Sequence, residues 1–171
     1  KIVDPEREWI WLIHDDLSLH PNALANLIAE VEIKPSVAMA GPKLLGWHDH
    51  THLLEIGVSI AANGNRWTGL EPSEYDQGQR DGVHEVLAVS TAGALIRRDV
   101  FEQLGGFDPN LDLFRDDVDF GWRLYSAGYT AIAVSSAIAF HAEASANERR
   151  TVDVAEAFLH RPLLLDRRNA A

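Results

Sequence analysis

The stretch Trp9-Ile10-Trp11-Leu12-Ile13-His14-Asp15-Asp16 decides the fold, because an unbroken apolar run passes directly into a histidine and two adjacent carboxylates. A continuous apolar run of this kind predicts a central parallel strand buried on both faces. A strand that ends in Asp15 and Asp16 delivers its charge to the edge of a sheet, where open α/β folds bind ligands. Adjacent carboxylates repel one another unless a cation or a proton offsets them. A second acidic cluster stands far downstream in Leu113-Phe114-Arg115-Asp116-Asp117-Val118-Asp119-Phe120-Gly121-Trp122-Arg123, and His141 follows the apolar run Ala137-Ile138-Ala139-Phe140. Hard divalent metals take oxygen ligands and manganese also accepts imidazole, so Asp/Asp/His suits Mg²⁺ or Mn²⁺ carrying a phosphate.

Outward from this stretch the elements alternate as in an α/β domain. After the polar Leu17-Ser18-Leu19-His20, Pro21 suits the first turn of a helix in which Leu24, Leu27, Ile28 and Val31 recur at helical spacing. Val37-Ala38-Met39-Ala40 reads as a short strand closed by Gly41-Pro42. Residues 46–81, rich in Gly, His, Asn and Asp, read as loops and small edge strands. Residues 86–96 are strand-like with an interruption at Ser90-Thr91-Ala92-Gly93. A short helix over 99–104 stops at Gly105-Gly106. A helix over 118–127 ends at Gly128, and a strand returns over 129–134. Ser145-Ala146-Asn147-Glu148 has capping-box spacing and opens a trailing helix over 145–171.

Composition bounds the class. The chain of 171 residues is 46% hydrophobic, enough for one sizeable core, so a single domain over 1–171 is expected. A net charge of −11 argues against nucleic acid, which requires a basic footprint. An acidic protein that handles an anionic substrate needs a local cation, which again favours a metal. The absence of cysteine excludes disulfides, thiolate zinc and cysteine nucleophiles. No apolar stretch reaches the ~18 residues that span a bilayer. The chain starts without methionine and stops in a helix-compatible stretch, so it is expected to be a segment of a longer protein.

Six motifs occur in order: the strand into His14-Asp15-Asp16, then Gly41-Pro42-Lys43, Thr91-Ala92-Gly93-Ala94-Leu95-Ile96-Arg97-Arg98, Leu104-Gly105-Gly106-Phe107-Asp108, Asp116-Asp117-Val118-Asp119, and Phe140-His141. From Trp9 to His141 this order resembles family 2 of the inverting, metal-dependent glycosyltransferases with the GT-A fold. Within that family it is most similar to large actinobacterial members that build cell-envelope glycans. The resemblance implies a partial GT-A, Rossmann-like mixed sheet flanked by helices, the C-terminal part of a catalytic domain whose nucleotide-binding opening unit is missing. It further implies Mn²⁺ or Mg²⁺, a nucleotide-sugar donor, and a glycan or lipid-linked acceptor. The full-length protein would lie in the cytoplasm at the inner face of the plasma membrane, with any membrane association supplied by parts outside this segment.

The resemblance also distributes roles. His14-Asp15-Asp16 takes the place of the Asp-x-Asp motif that holds metal and sugar-nucleotide diphosphate, with Asp16 the main metal ligand, Asp15 a further one, and His14 and Asp15 on the donor. Asp116-Asp117 matches the Glu-Asp pair whose second member is the general base. His141 matches the histidine that completes the metal shell. Thr91, Ala92 and Gly93 match the strand end beneath the donor sugar. The chemistry is consistent with two separate acidic clusters: a base removes the acceptor proton on one face of the sugar, and positive charge supports the departing diphosphate on the other.

Each site has a plainer reading. Asp15 and Asp16 could cap a turn, Asp116 and Asp117 could cap a helix N-terminus, and His141 could be a hydrogen-bonded structural histidine. Asp119, one turn before Arg123, reads as a helix-surface ion pair. His48, His50 and His52 read as a solvated loop. Trp67 and Trp122 could stack on sugars, Trp122 on the acceptor, although burial is the default for tryptophan. Two further function classes share the carboxylates: a metal-dependent phosphohydrolase or nucleotidyltransferase, and a non-catalytic sugar-binding remnant of the fold.

Overall fold

The computed structural model describes residues 7–111 and 114–143; the trailing helix expected over 145–171 lies outside them. The elements run β1 (Trp9–Trp11), β2 (Leu17–Leu19), α1 (Ala23–Ile33), β3 (Val37–Gly46), β4 (Leu53–Glu55), β5 (Ser59–Ile60), β6 (Arg66–Trp67), β7 (Val83–Val86), β8 (Leu95–Arg97), α2 (Arg98–Gln103), α3 (Asp116–Ser126) and β9 (Thr130–His141). Seven strands form one sheet in the order β1-β8-β3-β9-β2, with β4 added to β3 and β7 to β9; β5 and β6 make a separate hairpin. β3 and β9 run parallel and their other partners antiparallel, so the sheet is mixed, as expected.

The pleat of β9 shows why the sheet is covered on both faces. Ile132 and Val134 point towards Leu27 and Val31 of α1, whereas Ala131 and Ala133 point towards Val100 of α2 and Phe120 and Leu124 of α3. This is the period-two alternation of a strand. On the α2/α3 side the rings of Phe101, Phe107 and Phe120 meet with centroids 5.2–5.4 Å apart. Gly105 and Gly106, at φ of +78° and +74°, turn the chain so that Phe107 reaches this cluster. Part of the Gly105-Gly106-Phe107-Asp108 motif is therefore architectural.

Several sequence expectations are corrected. Trp9 to Ile13 is not a central parallel strand. β1 covers only Trp9–Trp11, pairs antiparallel with β8 at the end of the strand order, and is half-buried. Trp9 and Trp11 pack on the α1 side and Leu12 on the α2/α3 side, so the apolar run reports two covered faces without specifying neighbour or direction. The strand from Val37 does not close at Gly41-Pro42 but runs on to Gly46. A side chain at Gly41 would collide with Val89, with Cβ–Cβ at 2.5 Å, so glycine permits close packing inside the strand. Pro42 sits at a register shift against β9, where its missing N–H is tolerated. The strand expected over 129–134 runs on through the apolar run 137–140 to His141 as the single strand β9. The polar link after Asp16 forms β2, and Pro21 precedes the N-cap Asn22 rather than opening the helix.

Candidate active site

Strand register assembles the first cluster. β2 starts immediately after Asp16 and pairs with β9 so that Leu17 faces His141, and the Ala142 N–H donates to the Asp16 carbonyl at 3.1 Å. Asp16 Oδ1 consequently lies 3.2 Å from His141 Nε2 and 4.0 Å from His14 Nδ1. The two imidazoles meet edge to face at 5.6 Å. One donor atom from each of His14, Asp16 and His141 lies within 4.8 Å of the others, and all three residues are half-buried. The other nitrogen of His14, Nε2, is 3.1 Å from Thr91 Oγ1. A tautomer protonated at Nε2 donates to Thr91 and turns the Nδ1 lone pair towards Asp16, the outer-shell arrangement that orients a metal-ligating histidine. Two nitrogens and a carboxylate fit a divalent transition ion such as Mn²⁺ better than Mg²⁺, which prefers oxygen alone.

The second cluster opens α3. Phe114 and Arg115 precede it at φ of +64° and +70°, two successive left-handed residues without a glycine. Such backbone costs about 1–3 kcal/mol per residue and persists only where its surroundings enforce it. Arg115 is buried and donates from Nη1 to the Gly64 carbonyl of the β5–β6 turn at 3.2 Å. Asp117, 6% exposed, accepts from Arg66 Nε at 3.2 Å and Nη2 at 3.0 Å on Oδ2, and from the Val118 N–H at 2.8 Å on Oδ1. Arg66 Nη2 also donates to Glu55 Oε2, and Glu55 Oε1 accepts the Ser90 N–H at 3.0 Å. Burial pushes the Glu55 carboxyl up, against the pull of Arg66. Burial, then the charge of Asp117, pushes Asp116 up. Burial alone would lower the Arg66 guanidinium, but its two carboxylates outweigh this and raise it.

The predicted residues divide accordingly. His14, Asp16 and His141 come together; Asp15 is exposed and outside their group. Thr91 touches His14. Ala92 is fully buried against Leu44 and Ala139, and Gly93, at φ +101°, packs where a side chain would meet Pro42 at 2.9 Å. Asp116 and Asp117 adjoin one another in the first turn of α3, and Asp119 pairs with Arg123 as expected, Nε to Oδ2 at 2.9 Å. His48 and His50 are exposed, His50 stacking on Phe140 at 3.9 Å. The default of burial fails for both tryptophans: Trp67 and Trp122 are each 56% exposed. With Tyr125, Arg80 and His84 they line a groove of about 630 Å³ that also takes in Thr130 and Ala131, at the opposite end of β9 from His141.

Sequence reasoning missed Glu55, Arg66 and Lys43 as individuals. Lys43, buried in β3, donates to both oxygens of Asp76 at 3.0 and 2.8 Å and to Asp81 at 2.7 Å, fastening the 71–82 loop to the sheet. Burial pulls the Lys43 ammonium down, and the two aspartates more than reverse it. Arg66 follows Asn63-Gly64-Asn65, a turn signal whose flanks form the β5–β6 hairpin.

A family model described as glycosyltransferase like family 2 matches residues 3–156. Among curated relatives, the O-antigen biosynthesis protein RfbC of Myxococcus xanthus is 27% identical over 89% of this chain and 12% of its own length. An N-acetylglucosaminyl-diphospho-decaprenol L-rhamnosyltransferase of Mycobacterium tuberculosis is 36% identical over 50% of this chain and 27% of its own. Galactofuranosyltransferase GlfT2 of the same species is 25% identical over 77% and 23%. The chain thus spans between about an eighth and a quarter of these relatives. Among solved structures, GalNAc-T7 with UDP, GalNAc and Mn²⁺ aligns with a TM-score of 0.58 at 14% identity, over 79% of this chain and 27% of that one. That likeness is one of fold, the GT-A architecture.

Proposed function

Because the chain belongs to glycosyltransferase family 2, we propose that it is the metal- and acceptor-handling part of an inverting glycosyltransferase. It moves a sugar from a nucleotide-sugar donor to a hydroxyl of a glycan or lipid-linked acceptor. The observation that carries this reading is that one segment of the β7–β8 connection, Ser90-Thr91, touches both clusters: Thr91 meets His14, and the Ser90 N–H holds Glu55, which grips Arg66 and through it Asp117. This contact path from the metal-type donor set to the acid pair supports reading the two as one site.

In this reading Asp16, His141 and His14 hold Mn²⁺ in preference to Mg²⁺, with Asp15 next to it on the donor. A divalent ion held there supplies Lewis-acid charge to the departing diphosphate. His14, Asp15 and Thr91 face the donor, and Ala92 and Gly93 shape the floor beneath it; Thr91, Ala92 and Gly93 form bends before β8 and not the strand end expected there. Asp117 accepts the proton of the attacking hydroxyl, with Asp116 beside it. Trp122 offers an aromatic face to the acceptor. Relatives named for O-antigen biosynthesis and for rhamnosyl transfer to N-acetylglucosaminyl-diphospho-decaprenol support a glycan or lipid-linked acceptor. In this reading the full-length protein works in the cytoplasm at the inner face of the plasma membrane; among the described residues no helix is long and apolar enough to cross it. Residues 1–171 act as one domain, the C-terminal part of the catalytic unit.

The test is turnover of sugar nucleotides by the full-length protein, with Mn²⁺, Mg²⁺ or EDTA, with and without acceptor glycan. Transfer that needs both ion and acceptor is expected. Release of phosphate or pyrophosphate indifferent to acceptor would instead favour a phosphohydrolase or nucleotidyltransferase. Diphosphate binding without turnover would favour a binding remnant.

A further inference from the structure

We infer that Arg66 is a positioning residue, through which the β5–β6 hairpin fixes the Asp116-Asp117 pair relative to the His14/Asp16/His141 cluster. The inference rests on the function proposed above and adds to it a residue that contacts none of the reacting groups assigned there except through Asp117.

The geometry is that of a fork between two anchors. Nε and Nη2 both close on Asp117 Oδ2, and Nη2 also reaches Glu55 Oε2. Glu55 is itself fixed, because Oε1 holds the Ser90 N–H one residue before Thr91, which meets His14. The path His14, Thr91, Ser90, Glu55, Arg66, Asp117 is therefore continuous, through hydrogen bonds and one peptide link. A planar guanidinium holds Nε and Nη2 in one fixed plane while they meet Asp117 and Glu55; a lysine ammonium can reach two carboxylates, as Lys43 does, but fixes no such plane. The hairpin is tied to α3 a second time, by Arg115 donating to the Gly64 carbonyl. That tie acts on the left-handed pair Phe114 and Arg115, which need such enforcement. Asp117 cannot turn about its side chain while Oδ2 is forked and Oδ1 holds the Val118 N–H. The charge balance also demands this cation, since Glu55 and Asp117 are two buried carboxylates that share it, with the half-buried Asp116 next to Asp117.

The test uses the full-length protein carrying Arg66→Lys, Arg66→Gln or Glu55→Gln, with Asp116→Asn and Asp117→Asn alongside. Acceptor kcat and KM, calorimetric binding of nucleoside diphosphate with Mn²⁺, and thermal midpoint are measured for each. Arg66→Gln is expected to lower kcat by about 10²-fold, the cost of a small misplacement of a reacting group. Arg66→Lys should recover part of that loss, and diphosphate binding should stay at the wild-type level in both. Should Arg66→Gln not fold, Arg66→Lys decides, since it keeps the charge and loses the fork. Wild-type kcat in the folded Arg66 variants overturns the inference, as does diphosphate binding that falls in step with kcat, the mark of a merely structural residue. Wild-type transfer by both Asp116→Asn and Asp117→Asn would overturn the proposed function instead, which separates the two failures.

Discussion

Asp16 and His141 stand 125 residues apart in sequence and 3.2 Å apart in space, because β2 and β9 pair with Leu17 opposite His141. Register does this work. The side-chain period of a strand is two, so a slip of one residue would turn His141 to the other face and dissolve the cluster. The apolar alternation of β9 between the α1 and α2/α3 cores pins the register against such a slip. The packing of the core therefore fixes where a metal can be held.

The cluster predicts unequal losses. Asp16→Ala removes the single carboxylate of the set and should abolish Mn²⁺-dependent binding of nucleoside diphosphate, as should EDTA on the wild type. His141→Ala should weaken the affinity by roughly 10–100-fold, the scale of losing a supporting contact at a metal, because water can replace a neutral ligand. Calorimetry with and without EDTA measures both. Unchanged affinity in Asp16→Ala would remove the metal assignment.

Much of this site was legible in the sequence because carboxylates and histidines at strand ends are conspicuous chemistry at fixed places in the chain. The α/β class, the helices near 24–31, 99–104 and 118–127, and the Asp119–Arg123 pair follow from local pattern alone, whereas the mixed sheet follows from the resemblance. The direction of β1 did not, because an apolar run records covered faces and not the strand beside it. The length of β3 was hidden by Gly41-Pro42, which reads as a breaker until Val89 and the register shift against β9 are known. Glu55, Arg66 and Lys43 were invisible for a different reason. An isolated charged residue in a strand is normally solvated, and only tertiary contacts bury Lys43 and Glu55 and half-bury Arg66, against partners 11–51 residues away.

Gly121 links the packing of α3 to its chemistry. A Cβ there would lie 2.4 Å from the Leu87 carbonyl oxygen and 2.7 Å from Ala88 Cβ, so Gly121→Ala must push the helix away from the Leu87-Ala88 segment. The expected cost is about 1–3 kcal/mol of stability, as for other overpacked cores, in spite of alanine's better helix propensity. Since Asp117 lies one turn earlier on the same helix, transfer should fall further than the loss of folded protein accounts for. Chemical denaturation and turnover per folded molecule check the two parts separately.

The 71–82 loop carries a pH signature. Hydrogen bonds from the Arg80 guanidinium, then the Glu71 N–H and the Gln79 amide, hold the Glu74 carboxyl down at about 2, against an ordinary value of 4.5. A lowered carboxylate contributes stability that is present above its unfolded value and lost as pH falls through its folded one. Protection of the loop amides should therefore fall between about pH 4.5 and 2. Glu74→Gln should show weaker protection at neutral pH and little further loss in that window. Hydrogen exchange of the loop followed across the window decides it; identical profiles for both proteins would refute the assignment.

The acid pair can be divided by substitution and by pH together. Asp117→Asn keeps size and can still accept from the Val118 N–H, but it cannot take up a proton from the acceptor. Loss of a general base costs roughly 10²–10⁴-fold in rate, and it should fall on turnover while donor and metal affinity hold, because the group acts in the transition state. Asp116→Asn should be milder. The pH profile supplies an independent discriminator, since burial and the charge of Asp117 hold the Asp116 carboxyl above the usual carboxylate range. Were Asp116 the base, transfer would fail on acidification at a correspondingly high pH, because a protonated base is inactive. Asp117→Asn would then move that limb to lower pH, by removing the neighbouring negative charge, instead of abolishing turnover. A profile that shifts in Asp117→Asn with kcat retained would thus move the base one residue earlier, to Asp116; a collapse in kcat with donor binding intact would leave it on Asp117.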